Sequence, residues 1–479
     1  MKSVKFVFQT LVIAVAASFT AVDDAVAQQT GAKNGNGKTV GTGLVENITQ
    51  PDGIVGQDGN IGLEEKDYVF LFGNVHRDTA VLRVLFQNAP NYFNAPDMPR
   101  FAIIGKERKF YLGIGGYVKG VMSFDIGNPI ENATGFVTSA IPMNNPRGDG
   151  SLVQFSAASS NLFFNFVALP DTKNQIGAYV NFNFSGNNND YGFSLKAAYI
   201  TYRGFIFGYN SSLFTDGAAA APTIDQQGPN AMTSVFNTVL DYQYTINRHW
   251  SVGAGLELPI VNATYNDYSY GINQRIPDIP FYVQYSWKNG SGWARMSGLI
   301  RNMFYRDNGE DGITVDKMGF GIKASGAVPL NSRITAFYQG VYGKGIASYI
   351  QDIQGYGLDM VPVASSFGRL HNVEAWGAYL GLQWQISSKF LTSATYSMVE
   401  TRLPESVSST FVPGVEYRHN NSFMPASTYK NAKYVVANLF YNITPTVTCG
   451  VEYLWGCREN VDGEFKQDNR MQTALRVNF

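Results

Sequence analysis

From Phe110 to the end of the chain, apolar and polar residues change places at almost every step. In the first such segment Phe110, Leu112, Ile114, Val118 and Met122 share one side. Tyr111, Gly113, Gly115, Tyr117, Lys119 and Ser123 share the other. Ile176, Ala178, Val180, Phe182 and Phe184 alternate in the same way with Gly177, Tyr179, Asn181 and Asn183. The last ten residues repeat the pattern, with Met471, Thr473, Leu475, Val477 and Phe479 against Arg470, Gln472, Ala474, Arg476 and Asn478. Period two means strands whose two faces meet different surroundings. About sixteen segments of this kind can be counted, an even number as an antiparallel barrel requires.

The connections also alternate. Short turns fall at Pro170 to Lys173, Arg203-Gly204, Asn247 to His249, Lys288 to Gly292, Pro329 to Ser332, Ser387-Ser388 and Thr444 to Thr446. Between them lie longer loops: Asp125 to Gly150, Phe214 to Thr233, Pro259 to Asp278, Ile346 to Glu374 and Glu400 to Lys433. Turns short at one end and long at the other are the asymmetry of an outer-membrane barrel. The expected fold is therefore all-β: a transmembrane antiparallel β-barrel over residues 110–479. Closure is obligatory, because an open edge in hydrocarbon leaves unpaired N–H and C=O groups. Aromatic residues near strand ends (Tyr199, Tyr202, Phe205 and Phe207; Tyr282, Tyr285 and Trp287) are expected to form girdles at headgroup level.

Composition agrees with this picture. Only 15% of residues are charged and 14% are aromatic, with 49 glycines. Roughly a quarter charged is usual for a soluble domain. The 36 basic and 37 acidic residues leave no basic excess for a nucleic-acid partner. Cys449 and Cys457 share one strand too far apart to bridge, and are read as small apolar side chains on the lipid face.

Ahead of the barrel, Met1 to Ala27 reads as an export signal: Lys2 and Lys5, an apolar stretch, then Ala25-Val26-Ala27 before Gln28. Residues 28–109 form a periplasmic lead-in. Gln28 to Gly62 is a flexible linker, and Glu64 to Phe101 is more structured, with Tyr68 to Phe72 as a short strand. This second part is expected on the periplasmic side or tucked into the barrel mouth.

If the apolar parity meets lipid, the other parity names the pore wall. Lys119, Lys196, Arg295, Arg301, Lys317, Lys323, Arg470 and Arg476 then point inward, with Asp241, Glu257 and Glu452 as acidic members. The bias is basic, so anions should be favoured. The alternative is that these charges pair across the wall. The loop Phe214 to Thr233 is expected to fold inward as a constriction, with Pro222, Asp225, Gln226 and Gly228 near its tip. No cofactor, metal or catalytic residue is expected.

A closing strand that ends on Phe479 resembles that of bacterial outer-membrane barrels, in which the terminal Phe belongs to the signal read by the assembly machinery. A closer resemblance is to the DcaP-like trimeric porins of the Gram-negative outer membrane. It rests on Phe110 to Met122 (FYLGIGGYVKGVM), Gln154 to Phe164 (QFSAASSNLFF) and Leu195 to Tyr202 (LKAAYITY) followed by Phe205 to Phe214. Pro222 to Asp225 and Gly228 to Asn230 add to it. It covers about residues 110–240 and the closing strand. The resemblance implies a sixteen-stranded homotrimer in the lipid bilayer, passing small hydrophilic, preferably anionic solutes. Residues 28–109 lack the heptads of the coiled coil that members often carry there.

Two rival functions remain at this stage. A surface adhesin or receptor would use the loops Ile346 to Glu374 and Glu400 to Lys433; Arg147-Gly148-Asp149 is read as a solvated turn. An outer-membrane enzyme would need catalytic groups gathered at the outer rim; of the four histidines, His76 and His249 fall on the periplasmic side, and no nucleophile motif is recognisable beside His371 or His419 in the extracellular loops.

Overall fold

The computed structural model describes residues 68–72, 85, 91–92, 95–96, 99, 101–105, 108–144, 150–186, 191–308, 312–363, 369–404 and 427–479. The expected export signal and linker, the Arg147 to Asp149 tripeptide, His76 and His419 lie outside the described residues.

Sixteen antiparallel strands close on themselves. They are β1 (Phe110–Gly127), β2 in two pieces (Ser151–Ser156 and Asn161–Ala168), β3 (Ile176–Asn183), β4 (Ser194–Tyr202), β5 (Phe205–Ser211), β6 (Phe236–Thr245), β7 (Trp250–Glu257) and β8 (Ile279–Trp287). Then follow β9 (Gly292–Asp307), β10 (Ile313–Pro329), β11 (Ile334–Lys344), β12 (Glu374–Gln385), β13 (Phe390–Arg402), β14 (Tyr429–Asn442), β15 (Val447–Asn460) and β16 (Phe465–Asn478). Each pairs with the next, and β16 pairs with β1 from Asn478↔Tyr117 to Asp468↔Gly127. Phe479 completes the seam: its N–H and C=O each bond Gly116 at 2.9 Å.

The wall inverts the soluble pattern, as a lipid-facing barrel must. Val118, Phe155, Met318 and Leu380 on the outer face are more than half exposed, while Ser123, Asn165, Ser397 and Gln472 on the inner face are buried. At the Arg203-Gly204 hairpin both residues have positive φ (49° and 87°), the mirror-image turn that matches strand twist.

Several sequence expectations shift in detail. The second segment is not one strand. It breaks at residues 157–160, and its two pieces pair separately with β1. Tyr199 and Tyr282, expected in aromatic girdles, are instead buried on the inner side; Tyr202, Phe205, Phe207 and Tyr285 do stand outside. Their i, i+3 spacing places them near a strand end but says nothing about side, because parity flips with each step. Both cysteines are free and on the outer parity, but Cys457 is buried rather than open to lipid. Tyr68–Phe72 is a strand. It pairs with Phe101–Gly105, which pairs in turn with the start of β1.

Candidate functional site in the barrel lumen

The loop between β5 and β6, residues 212–235, folds inside the barrel. Its apolar residues explain why. Phe214, Ala220, Ala231, Met232 and Val235 join Ile346, Tyr349, Ile350, Ile353 and Leu358 of the loop after β11 in one dry core against the wall residues Leu299, Val341, Tyr379 and Val399. Phe214 and Tyr349 meet edge to face at 5.9 Å.

Polar tethers then fix the loop along the inner wall from β9 to β15. Lys323 Nζ donates to the Phe214 carbonyl and, at 3.1 Å, to Thr233 Oγ1. Asp216 accepts from Ser325 (2.7 Å) and Trp293 (3.2 Å) and lies 3.9 Å from Arg295. Burial opposes its charge, but Arg295, Lys323 and those two hydrogen bonds outweigh burial and hold the carboxyl below its ordinary range. The Pro222 carbonyl accepts from Ser393 (2.6 Å) and Asn438 (2.9 Å). Glu452 takes the N–H groups of Ile224 and Asp225, both at 2.8 Å. Ala231 N–H donates to Ser397 at 3.0 Å.

The loop tip is also where loops meet. Asp225 accepts from Phe136 N (2.8 Å), Gln227 N (3.0 Å), Gly228 N (3.1 Å) and Tyr434 OH (2.8 Å). It is therefore a buried hub rather than a wetted lining group, and burial raises its pKa. Gln226 stays partly exposed and donates its N–H to Thr134 in the first loop at 2.8 Å. Gly228 has φ 73°, which the turn there requires. In the loop after β11, Asp352 accepts from Thr138 Oγ1 (2.8 Å), Ser139 N (3.1 Å) and Tyr429 OH (3.1 Å). Three long loops are thus knotted together inside the cylinder.

For the basic residues that parity turns inward, inward does not always mean wet. Arg301 is buried between Asp278 (3.3 Å) and Asp359 (3.4 Å), with further bonds to the Gly345 and Ile260 carbonyls. Lys323 is buried under the constriction loop, and Arg470 is locked to Asp125. Lys119, Arg295, Lys317 and Arg476 keep partial exposure. Lys119 Nζ reaches the Ile224 carbonyl at 2.7 Å, and Arg476 stacks 3.7 Å over the Tyr117 ring. Arg295 sits 4.3 Å over Tyr282. Lys196 is partly exposed at a bulge between β3 and β4, the position where simple alternation loses its meaning. The three acidic members, Asp241, Glu257 and Glu452, are all buried.

The lead-in also enters the barrel. The Leu85 carbonyl accepts from Asn165 on the inner face of β2 at 2.7 Å. The backbone of Asn91–Tyr92, paired with Ala95–Pro96, lies beside Gly217–Ala219 of the constriction loop. Pro99 packs against Gly113 and Gly115, where any Cβ would collide with it.

Sequence reasoning missed Asp125, Asp216, Asp278, Asp352, Asp359 and Arg458. All lie in or beside the knot. Arg458 donates to the Ser139 carbonyl at 2.5 Å and covers Tyr356 and Tyr429. Their partners are distant in sequence, so no local motif marks them.

No curated protein matches this sequence. Among solved structures, the outer membrane channel DcaP of Acinetobacter baumannii is 19% identical, over 78% of this chain and 99% of that one, with a TM-score of 0.64. An anion-selective porin from Comamonas acidovorans aligns at 11% identity over 77% of this chain and 100% of that one, with a TM-score of 0.48. OmpT of Vibrio cholerae aligns at 11% over 78% and 99%, with a TM-score of 0.47. A family description, porin subfamily, matches residues 149–477, more than half of the chain. With its closed sixteen-stranded wall and inward loop, this chain belongs to the porin subfamily, a channel protein of the bacterial outer membrane.

Proposed function

We propose that this porin is a passive diffusion channel that prefers small hydrophilic anions. One observation carries the reading. Of the inward charges, those that keep contact with water are basic (Lys119, Arg295, Lys317, Arg476), while the acidic ones (Asp241, Glu257, Glu452) are buried away from it. A conduction path with basic groups on its wet surface concentrates anions and repels cations, although the whole chain is nearly neutral. No step of catalysis is needed for this role. The loop after β11, a possible receptor surface, instead contributes its apolar residues to the core inside the barrel, which favours a channel over an adhesin.

The protein would work as a homotrimer, with the Phe479 terminus as the signal for the outer-membrane assembly machinery. The lead-in would narrow the periplasmic mouth. The test is the zero-current potential of reconstituted protein in a KCl gradient. A sign set by chloride supports the proposal; a sign set by potassium, or folded protein that conducts nothing, overturns it.

A further inference from the structure

A second charged site lies on the opposite side of the wall. Between β7 and β8, Ser269–Gly271 adds a short strand to the long-loop end of β9, pairing Tyr270 with Arg306. Gln274 extends this contact with its side chain. It accepts from Phe304 N at 2.8 Å and donates to the Phe304 carbonyl at 2.9 Å, imitating a strand neighbour. The next residue, Arg275, is thereby held with its guanidinium 5.6 Å from the centre of the Phe304 ring. A cavity of about 430 Å³ opens here, lined by Tyr270, Ile272, Asn273, Arg275, Arg306 and Thr314.

Both arginines lack a carboxylate partner among the described residues. Among the described residues Arg306 makes one long bond, 3.4 Å to Thr314 Oγ1, and its buried Nε finds no acceptor. A buried guanidinium N–H that no protein group accepts is free to donate to an anion. Asp316, the cross-strand partner of Phe304, forms no ion pair with either arginine.

The position identifies the anion. Arg306 and Thr314 share the outer parity with the exposed residues Met318, Phe320 and Ile322 of β10. Thr314 lies four residues beyond Met318, the end of that apolar band. At about 3.3 Å per residue and a tilt near 45°, this puts the cavity roughly 9 Å above it, in the headgroup layer. Tyr268 and Tyr270, both about half exposed, stand where interfacial aromatics belong. The long-loop end faces the outer leaflet.

We propose that Arg275 and Arg306 hold the phosphate of an outer-leaflet lipid headgroup, whose acyl chains lie along Met318, Phe320 and Ile322. This site is independent of the selectivity of the lumen. The test is native mass spectrometry of the full mature protein in detergent, titrated with phosphorylated lipid A, with the same lipid after dephosphorylation, and with inorganic phosphate. Phosphorylated lipid should be retained. The Arg275→Gln/Arg306→Gln double variant should retain it about tenfold less. Arg275→Gln alone, which removes only a ring contact, should already weaken it. Arg203→Gln at the short-turn end should have no effect. Equal retention by the double variant, equal binding of dephosphorylated lipid, or a matching loss with Arg203→Gln overturns the proposal. Displacement of the lipid by inorganic phosphate at low millimolar concentration would reassign the site to a soluble anion and overturn it too.

Discussion

Arg470 and Asp125 face each other across the seam where the last strand meets the first, joined by two bonds of 2.5 and 2.7 Å with both side chains sealed from solvent. The remaining N–H groups of Arg470 bond the Ile130, Asn132 and Gly135 carbonyls, so one side chain ties barrel closure to the first long loop. Arg470→Gln would leave Asp125 buried without its countercharge, beside a second buried carboxyl group, Asp468. The expected cost is about 3–5 kcal/mol. The temperature at which the barrel loses its heat-modifiable gel mobility should fall, and protease should cut the first loop sooner. A variant as resistant as wild type would show that this ion pair does not hold the loop.

Glu452 performs the equivalent task for the constriction loop. Glu452→Ala removes the acceptor for two buried N–H groups, at about 1–3 kcal/mol each. The tip at Ile224-Asp225 should leave the wall. Single-channel recordings should then show a noisier current with larger open steps, and Glu452→Gln, which restores one acceptor, should fall between. A silent, wild-type trace from Glu452→Ala would remove the tether from the account.

The loop knot should respond to acid. Burial raises the Asp352 carboxyl from 3.8 to about 6 in the folded protein, against hydrogen bonds from Thr138, Ser139 and Tyr429 that act the other way. The folded state therefore binds more protons than the unfolded state between those values. Stability from this group is greatest below about 3.8 and is lost as pH climbs through 6. Docking of the first loop should be tighter at pH 5 than at pH 7. Hydrogen exchange at the Ser139 amide, corrected for intrinsic rate, should slow on acidification in wild type and lose that dependence in Asp352→Asn.

Asn165 is the wall residue that holds the lead-in at Leu85. Asn165→Ala keeps the strand and removes that bond. If the lead-in narrows the periplasmic mouth, mean conductance should rise in the variant, and deletion of residues 28–100 should raise it further. No change in either would mean that the current bypasses the lead-in.

The wall was legible because lipid and water impose a two-residue period on each strand separately, so every strand announces itself locally. The terminal strand, the Arg203-Gly204 turn and the short-long rhythm of the loops follow from such local rules. The inward course of residues 212–235 was legible too, through its run of Ala218 to Ala221. The interior was not. Parity placed Arg301 on the inward side of its strand but could not show that Asp278 and Asp359, from two other loops, enclose it. Lys196 sits at a bulge, where one extra residue breaks the count on which parity depends. Tyr199 and Tyr282 misled for a related reason: amphipathic rings suit an interface, but here they pack inward.

Lys119 and Arg476 provide the most direct measurement, because both keep partial exposure and neither forms an ion pair with an acidic side chain among the described residues. The zero-current potential in a KCl gradient should favour chloride in wild type and move toward the potassium side in Lys119→Gln/Arg476→Gln, with the heat-modifiable fold unchanged. A folded double variant with the wild-type potential would contradict a basic, water-filled path as the source of selectivity.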